Sequence, residues 1–149
     1  MITVTCNGCF DGLHPGHLFY LGYCAAQGDR LVVGINDDAY LRRKKREPHF
    51  TTAERSEMLL RLGCVSEVRV FTEDDPRDFL RSVKPRVHCT GGEYGSDCTE
   101  ATLCRSLGIR LVLIPRLPNW SMTHLPDEFR RLMAQIIRND STANLASTN

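Results

Sequence analysis

Two histidines three positions apart, His14 and His17, are the residues whose types and spacing point most directly to chemistry. They close the segment Gly8-Cys9-Phe10-Asp11-Gly12-Leu13-His14-Pro15-Gly16-His17. An imidazole donates a hydrogen bond to a phosphate oxygen and, once protonated, adds positive charge. A short β-type run, Ile2-Thr3-Val4-Thr5-Cys6, precedes the segment, and an amphipathic stretch from Leu18 to Gln27 follows it. A glycine-bearing turn between a strand and a helix N-terminus is a natural anion site, because unpaired N–H groups and the helix dipole point at the ligand. The chain has neither a Walker Lys-Ser/Thr nor Gly-x-Gly-x-x-Gly, which excludes the P-loop and dinucleotide readings of this turn.

Further along, Arg42-Arg43-Lys44-Lys45-Arg46 is the most basic run. Read alone it is a solvated loop; placed shortly after the second strand, it can reach the same sheet edge and offset phosphate charge. Asp37 and Asp38 either bind an acceptor hydroxyl or cap the next helix. Asp11 either orients an acceptor or water, or caps its own turn. Gly91-Gly92-Glu93-Tyr94 follows the fourth strand, where glycines allow close backbone approach. Pro115-Arg116-Leu117-Pro118-Asn119-Trp120-Ser121-Met122-Thr123 follows the fifth.

The elements that must carry these residues alternate. Apolar runs at 2–6, Leu31–Ile35, Val68–Phe71, Val87–Cys89 and Leu111–Ile114 predict strands. Helical patterns fall near 17–27, 37–44, 52–62, 76–83 and 97–107. Such alternation predicts an α/β protein with a Rossmann-like, doubly wound, five-stranded parallel sheet, whose ligands bind at the carboxyl ends of the strands. Thr51-Thr52-Ala53-Glu54 has capping-box spacing, Gly63 is placed to end that helix, and Pro76 suits the first turn of the next. A last helix is expected over 126–138, giving a domain of residues 1–139 followed by a polar tail, 140–149, that reads as a frayed end or interdomain linker.

With 149 residues, the length fits one domain with a real core. A net charge of +1 gives nucleic acid no general attraction. No apolar stretch is long enough to span a membrane, and Met1 leads straight into a strand, so a cytoplasmic location is expected. The seven cysteines are odd in number and lie mostly within predicted elements, which suits buried thiols; Cys6-x-x-Cys9 lacks the second pair a zinc site needs.

The pattern Gly-x-Phe-Asp-x-x-His-x-Gly-His resembles the HxGH nucleotidyltransferases of the cytidylyltransferase-like family. That resemblance extends over about residues 2–125. It implies that an acceptor phosphate or phosphonate oxygen attacks the α-phosphorus of a nucleoside triphosphate, with Mg²⁺ on the phosphates and pyrophosphate as the leaving group. His14 and His17 would stabilise the transition state, with Lys44 or Lys45 and Arg116 as further catalytic cations. Gly8, Cys9, Phe10 and Gly16 would line the nucleotide, and Gly91, Gly92, Glu93 and Tyr94 would lie beside its base. Arg116, Ser121 and Thr123 would hold the β- and γ-phosphates, Met122 standing where the family has threonine. Asp11, Asp37, Arg55 and the lysines would meet the acceptor.

Within the family the chain looks most like the phosphonate cytidylyltransferases of fosfomycin biosynthesis. CTP and 2-hydroxyethylphosphonate are therefore the first expected substrates, with a further catalytic domain fused after the tail. Glycerol-3-phosphate cytidylyltransferase and heptose-1-phosphate adenylyltransferase are the alternatives, the latter resembled by Phe71-Thr72-Glu73-Asp74-Asp75-Pro76. A homodimer is implied by the resemblance. A nucleotide-binding module without turnover is the non-enzyme alternative.

Overall fold

The structure, a computed structural model, describes residues 1–91 and 97–114. Five strands, β1 (Thr3–Gly8), β2 (Arg30–Asn36), β3 (Glu67–Phe71), β4 (Val87–Gly91) and β5 (Arg110–Ile114), alternate with helices α1 (Pro15–Ala25), α2 (Asp38–Arg43), α3 (Thr52–Leu60), α4 (Arg77–Val83) and α5 (Thr99–Leu107). The sheet order is β3-β2-β1-β4-β5 and every pairing is parallel. The expected doubly wound α/β architecture is therefore present. Strand order reverses at β1, so the crevice at a topological switch point opens at the carboxyl end of β1, between it and β4.

Both faces of the sheet are covered. Phe19, Leu21 and Cys24 of α1 and Leu59 of α3 pack on Val4, Cys6, Leu31, Val33 and Ile35. On the opposite face, Phe79 and Leu80 of α4 and Leu103 and Cys104 of α5 pack on Val32 and Phe71. Successive strand residues point to opposite faces, which is why Leu31 and Val33 enter one core and Val32 the other. Gly34 faces the second core, where an added Cβ would stand 2.9 Å from the Phe79 ring and 3.1 Å from Phe71. Its missing side chain makes room for the stacking of those rings, whose centroids are 5.7 Å apart.

Boundaries shift from expectation in ways that matter locally. β1 runs on to Gly8, and α1 starts at Pro15 with His14 as its N-cap, two residues earlier than periodicity indicates. Thr51 does cap α3, its hydroxyl accepting Glu54 N–H at 3.2 Å. Gly63 does not end that helix, which stops at Leu60. Pro76 stands just before α4 as its N-cap position. All seven cysteines are free thiols. The helix expected over 126–138 and the tail lie outside the described residues.

Candidate active site

Between Gly8 and Pro15 the chain turns back onto its own strand through two left-handed residues, Phe10 (φ 48°) and Gly12 (φ 100°). Phe10 tolerates this because its ring is buried and packs against Gly8, where a Cβ would come within 3.0 Å of it. The same ring meets His17 edge-on, centroids 5.5 Å apart. Phe10, expected to line the nucleotide, thus supports His17 from below.

Pro15 at the first helical position forfeits no hydrogen bond, since that N–H would have no intrahelical partner. The two histidines then cap the helix reciprocally. His14 Nδ1 accepts Gly16 N–H at 3.1 Å, and His17 Nδ1 accepts His14 N–H at 3.3 Å. A neutral imidazole has one acceptor and one donor nitrogen. With both Nδ1 atoms accepting, both rings carry their proton on Nε2. Their centroids are 3.8 Å apart. Burial, and then the neighbouring His14, push the His17 pKa below its ordinary value. The capping geometry thus leaves two Nε2–H groups as donors beside a helix N-terminus, an arrangement suited to phosphate oxygens.

Arg55 was expected to face the acceptor anion; it does not. Its side chain is completely buried and all five N–H donors are spent on protein acceptors. Nε donates to Phe50 O, Nη1 to Cys9 O (2.9 Å) and Asn36 O (2.6 Å), and Nη2 to Asp38 Oδ1 (2.8 Å) and Thr52 Oγ1. One guanidinium thus ties the histidine turn, the end of β2, the start of α2 and the loop before α3 together. Asp38 is committed to the same node, accepting Thr52 N–H as well. Burial raises its pKa, but the Arg55 and Thr52 hydrogen bonds outweigh this and leave it lowered.

Asp11, also expected at the acceptor, is engaged instead with the loop before α3. Its carboxylate accepts His49 N–H, His49 Nδ1 and Phe50 N–H at 2.9–3.0 Å. Burial opposes ionisation, yet those bonds hold the pKa at about 2. Asp37, the third acceptor candidate, takes its capping alternative: Oδ1 accepts Tyr40 N–H at 2.8 Å.

The basic run divides. Arg42 pairs with Glu47, and Arg43 reaches Thr72 O and Asp74. Lys44 Nζ lies 3.8 Å from Asp74 Oδ2 and 5.5 Å from the centre of the Tyr40 ring. Lys44 and Arg46 line a cavity of about 390 Å³, whereas Lys45 does not, and Lys45 takes a left-handed φ of 58°. The cavity opens at the carboxyl ends of β1, β2, β3 and β4, where Asn7, Gly8, Asn36, Phe71 and Thr90 meet, with Cys9 beside them. Burial raises the Cys9 pKa, against the opposing charges of Arg46 and Arg55.

Sequence reasoning passed over Asn36 and Thr90. Each stands directly after an apolar strand run, at the edge where such sheets bind ligands, and that position was the available signal. Gly92, Glu93, Tyr94, Arg116, Ser121, Met122 and Thr123 lie outside the described residues. Among the described residues no three His, Cys, Asp or Glu side chains converge as a metal site.

A parallel doubly wound sheet whose first β–α turn presents two reciprocally capped histidines makes this a Rossmann-like α/β protein with a histidine-bearing first turn. The chain belongs to the cytidylyltransferase-like family, which it matches over residues 5–145. It is 41% identical over 128 residues to the bifunctional protein HldE of Azotobacter vinelandii, an alignment covering 84% of this chain and 27% of that protein. The HldE protein of Pseudomonas fluorescens matches at the same identity and coverage. The chain thus spans about a quarter of the length of these relatives. Among solved structures, a lipopolysaccharide core biosynthesis protein from Thermoplasma volcanium is 31% identical, with a TM-score of 0.66 over 78% of this chain and 97% of that one. Pantothenate synthetase from Thermus thermophilus shares the fold at 14% identity and a TM-score of 0.57. No helix among the described residues is long and apolar enough to cross a membrane.

Proposed function

We propose that the chain transfers an adenylyl group from ATP to a heptose 1-phosphate, releasing pyrophosphate. The observation that carries nucleotidyl transfer is the His14–His17 pair, whose Nδ1 atoms are held as acceptors by the backbone of α1. In the proposed step an acceptor phosphate oxygen forms a bond to the α-phosphorus while the bond from that phosphorus to the pyrophosphate oxygen breaks. Pyrophosphate leaves with the electron pair. The acceptor oxygen is already anionic at neutral pH, so positioning and charge stabilisation carry the catalysis. The two Nε2–H groups would donate to the charge that builds on the triphosphate, and Lys44 and Arg46 would offset the acceptor phosphate from the cavity side.

The heptose branch is supported by the likeness to HldE and to a lipopolysaccharide core biosynthesis protein over nearly its whole length. CTP and 2-hydroxyethylphosphonate, placed first by sequence resemblance, give way to it, because these relatives favour the heptose alternative. A longer native protein with a second catalytic domain accords with the match to one part of a bifunctional relative. Mg²⁺ arriving with the triphosphate would neutralise phosphate charge. The described residues offer it no carboxylate cage.

Pyrophosphate release by the purified chain with Mg²⁺ tests this reading. ATP and CTP are crossed against heptose 1-phosphate, glycerol 3-phosphate and 2-hydroxyethylphosphonate. Turnover confined to ATP with the heptose is expected. Turnover confined to CTP with the phosphonate restores the first expectation, and no release from folded protein favours a binding module.

A further inference from the structure

The cavity beside the histidine turn has polar groups that the protein itself does not use. Asn7, Asn36 and Thr90 reach it from three adjacent strands, β1, β2 and β4. Period-two alternation puts them on the face of the sheet that also carries Thr5, Val32 and His88. Asn36 and Thr90 are each only 6% exposed. Their polar atoms are open to the cavity rather than sealed, since among the described residues the sealed side-chain atom without a partner is His88 Nε2. Among the described residues the Thr90 hydroxyl has no protein partner, and Asn36 has only the Cys9 thiol, 3.6 Å from Oδ1. That contact uses the amide oxygen and leaves Nδ2, with its two donors, without a protein partner among the described residues.

The rim differs in character from this floor. Lys44 and Arg46 supply positive charge there, and Asp74 lies against Lys44. A site with cations at its rim and unspent amide and hydroxyl groups on its floor matches a molecule that is anionic at one end and rich in hydroxyls at the other. The volume of about 390 Å³ falls in the range of small-molecule sites, roughly 300–1,000 Å³. A two-carbon phosphonate would reach the cations and leave the floor unpaired.

We propose that Asn36 and Thr90 are specificity-determining residues that read the hydroxyls of the acceptor, so that this cavity selects a polyhydroxylated sugar phosphate over a short-chain phosphate or phosphonate. The inference rests on the nucleotidyl-transfer reading for its purpose, but binding alone tests it.

Calorimetric titration of the whole chain with heptose 1-phosphate and, separately, with 2-hydroxyethylphosphonate is the experiment. It is run on wild type, Asn36→Ala and Thr90→Val, each shown folded by thermal unfolding. Wild type should bind the sugar phosphate more tightly than the phosphonate. Each variant should bind the sugar phosphate about ten-fold more weakly, the loss expected for one hydrogen bond left unmade, while phosphonate affinity stays unchanged. Equal losses for both ligands, unchanged sugar binding, absent sugar binding to wild type, or wild-type preference for the phosphonate would each overturn the inference. A chain that binds the sugar phosphate in this pattern but releases no pyrophosphate would sink the proposed reaction and leave the specificity assignment standing.

Discussion

His14 and His17 face each other at 3.8 Å between ring centroids, and each ring caps the helix that presents the other. Structure and chemistry therefore draw on different nitrogens of the same rings, and substitution can separate them. His14→Ala should lose both: turnover falling by about 10²–10³-fold, the usual loss for one transition-state donor, and stability by about 1 kcal/mol, the usual loss for an N-cap. His14→Asn keeps a capping oxygen and lacks the distal donor. It should unfold near the wild-type midpoint and still lose turnover. An active Asn variant would show that Nε2 has no part in the reaction.

A second histidine group governs acid stability. His88 is fully buried, its Nδ1 is paired with Thr5 Oγ1 at 2.8 Å, and its Nε2 has no partner among the described residues. Burial lowers its pKa from 6.5 to about 4. Between those values the unfolded chain binds more protons than the folded one, so stability is complete above pH 6.5 and lost as pH falls towards 4. The loss should reach roughly 3 kcal/mol at about 1.4 kcal/mol per unit, and the lowered pKa of His17 adds to it with the same sign. Urea midpoints measured from pH 7 to pH 4 check this. A flat profile across that interval would refute it.

Asp11 acts lower on the pH scale. Its folded pKa of about 2 lies below the ordinary 3.8, so its contribution is present above 3.8 and disappears as pH falls through 2. Asp11→Asn should destabilise the chain by about 2 kcal/mol at pH 7, the order expected for hydrogen bonds to a charged acceptor. Faster amide exchange at His49 and Phe50 in the variant would locate the loss at the loop before α3.

Arg55→Lys cannot reproduce five donors in a planar fork. It should cost about 3–5 kcal/mol, as for other broken buried charge networks, and lower kcat through displacement of the histidine turn. Wild-type stability combined with a raised KM for the acceptor alone would return Arg55 to acceptor binding.

Lys44 and Lys45 should respond differently. Lys44→Ala removes a cation from the cavity and should raise the acceptor KM by about ten-fold or more, on the order of 1–2 kcal/mol for one charge-assisted hydrogen bond. Lys45→Gly relieves a left-handed φ and should leave KM unchanged while altering stability by less than about 1 kcal/mol. Steady-state kinetics with varied acceptor distinguishes the two.

Much of this molecule is legible along the chain. The β–α alternation, the histidine turn and the Thr51 cap all depend on residues a few positions apart, where periodicity and capping chemistry operate. The roles of charged residues were not legible in the same way. Arg55, expected to meet the acceptor, is a buried pin, because the carbonyls of Cys9, just past β1, and Asn36, at the end of β2, are brought to it by the fold and take its donors. Asp11 met His49 and Phe50 by the same long-range closure. That Lys44 and not Lys45 lines the cavity depends on where α2 ends, and the cavity floor depends on β1 lying between β2 and β4. Local spacing determines which backbone groups need a cap. Which side chain remains available to a ligand depends on whatever the folded chain brings within 3 Å of it.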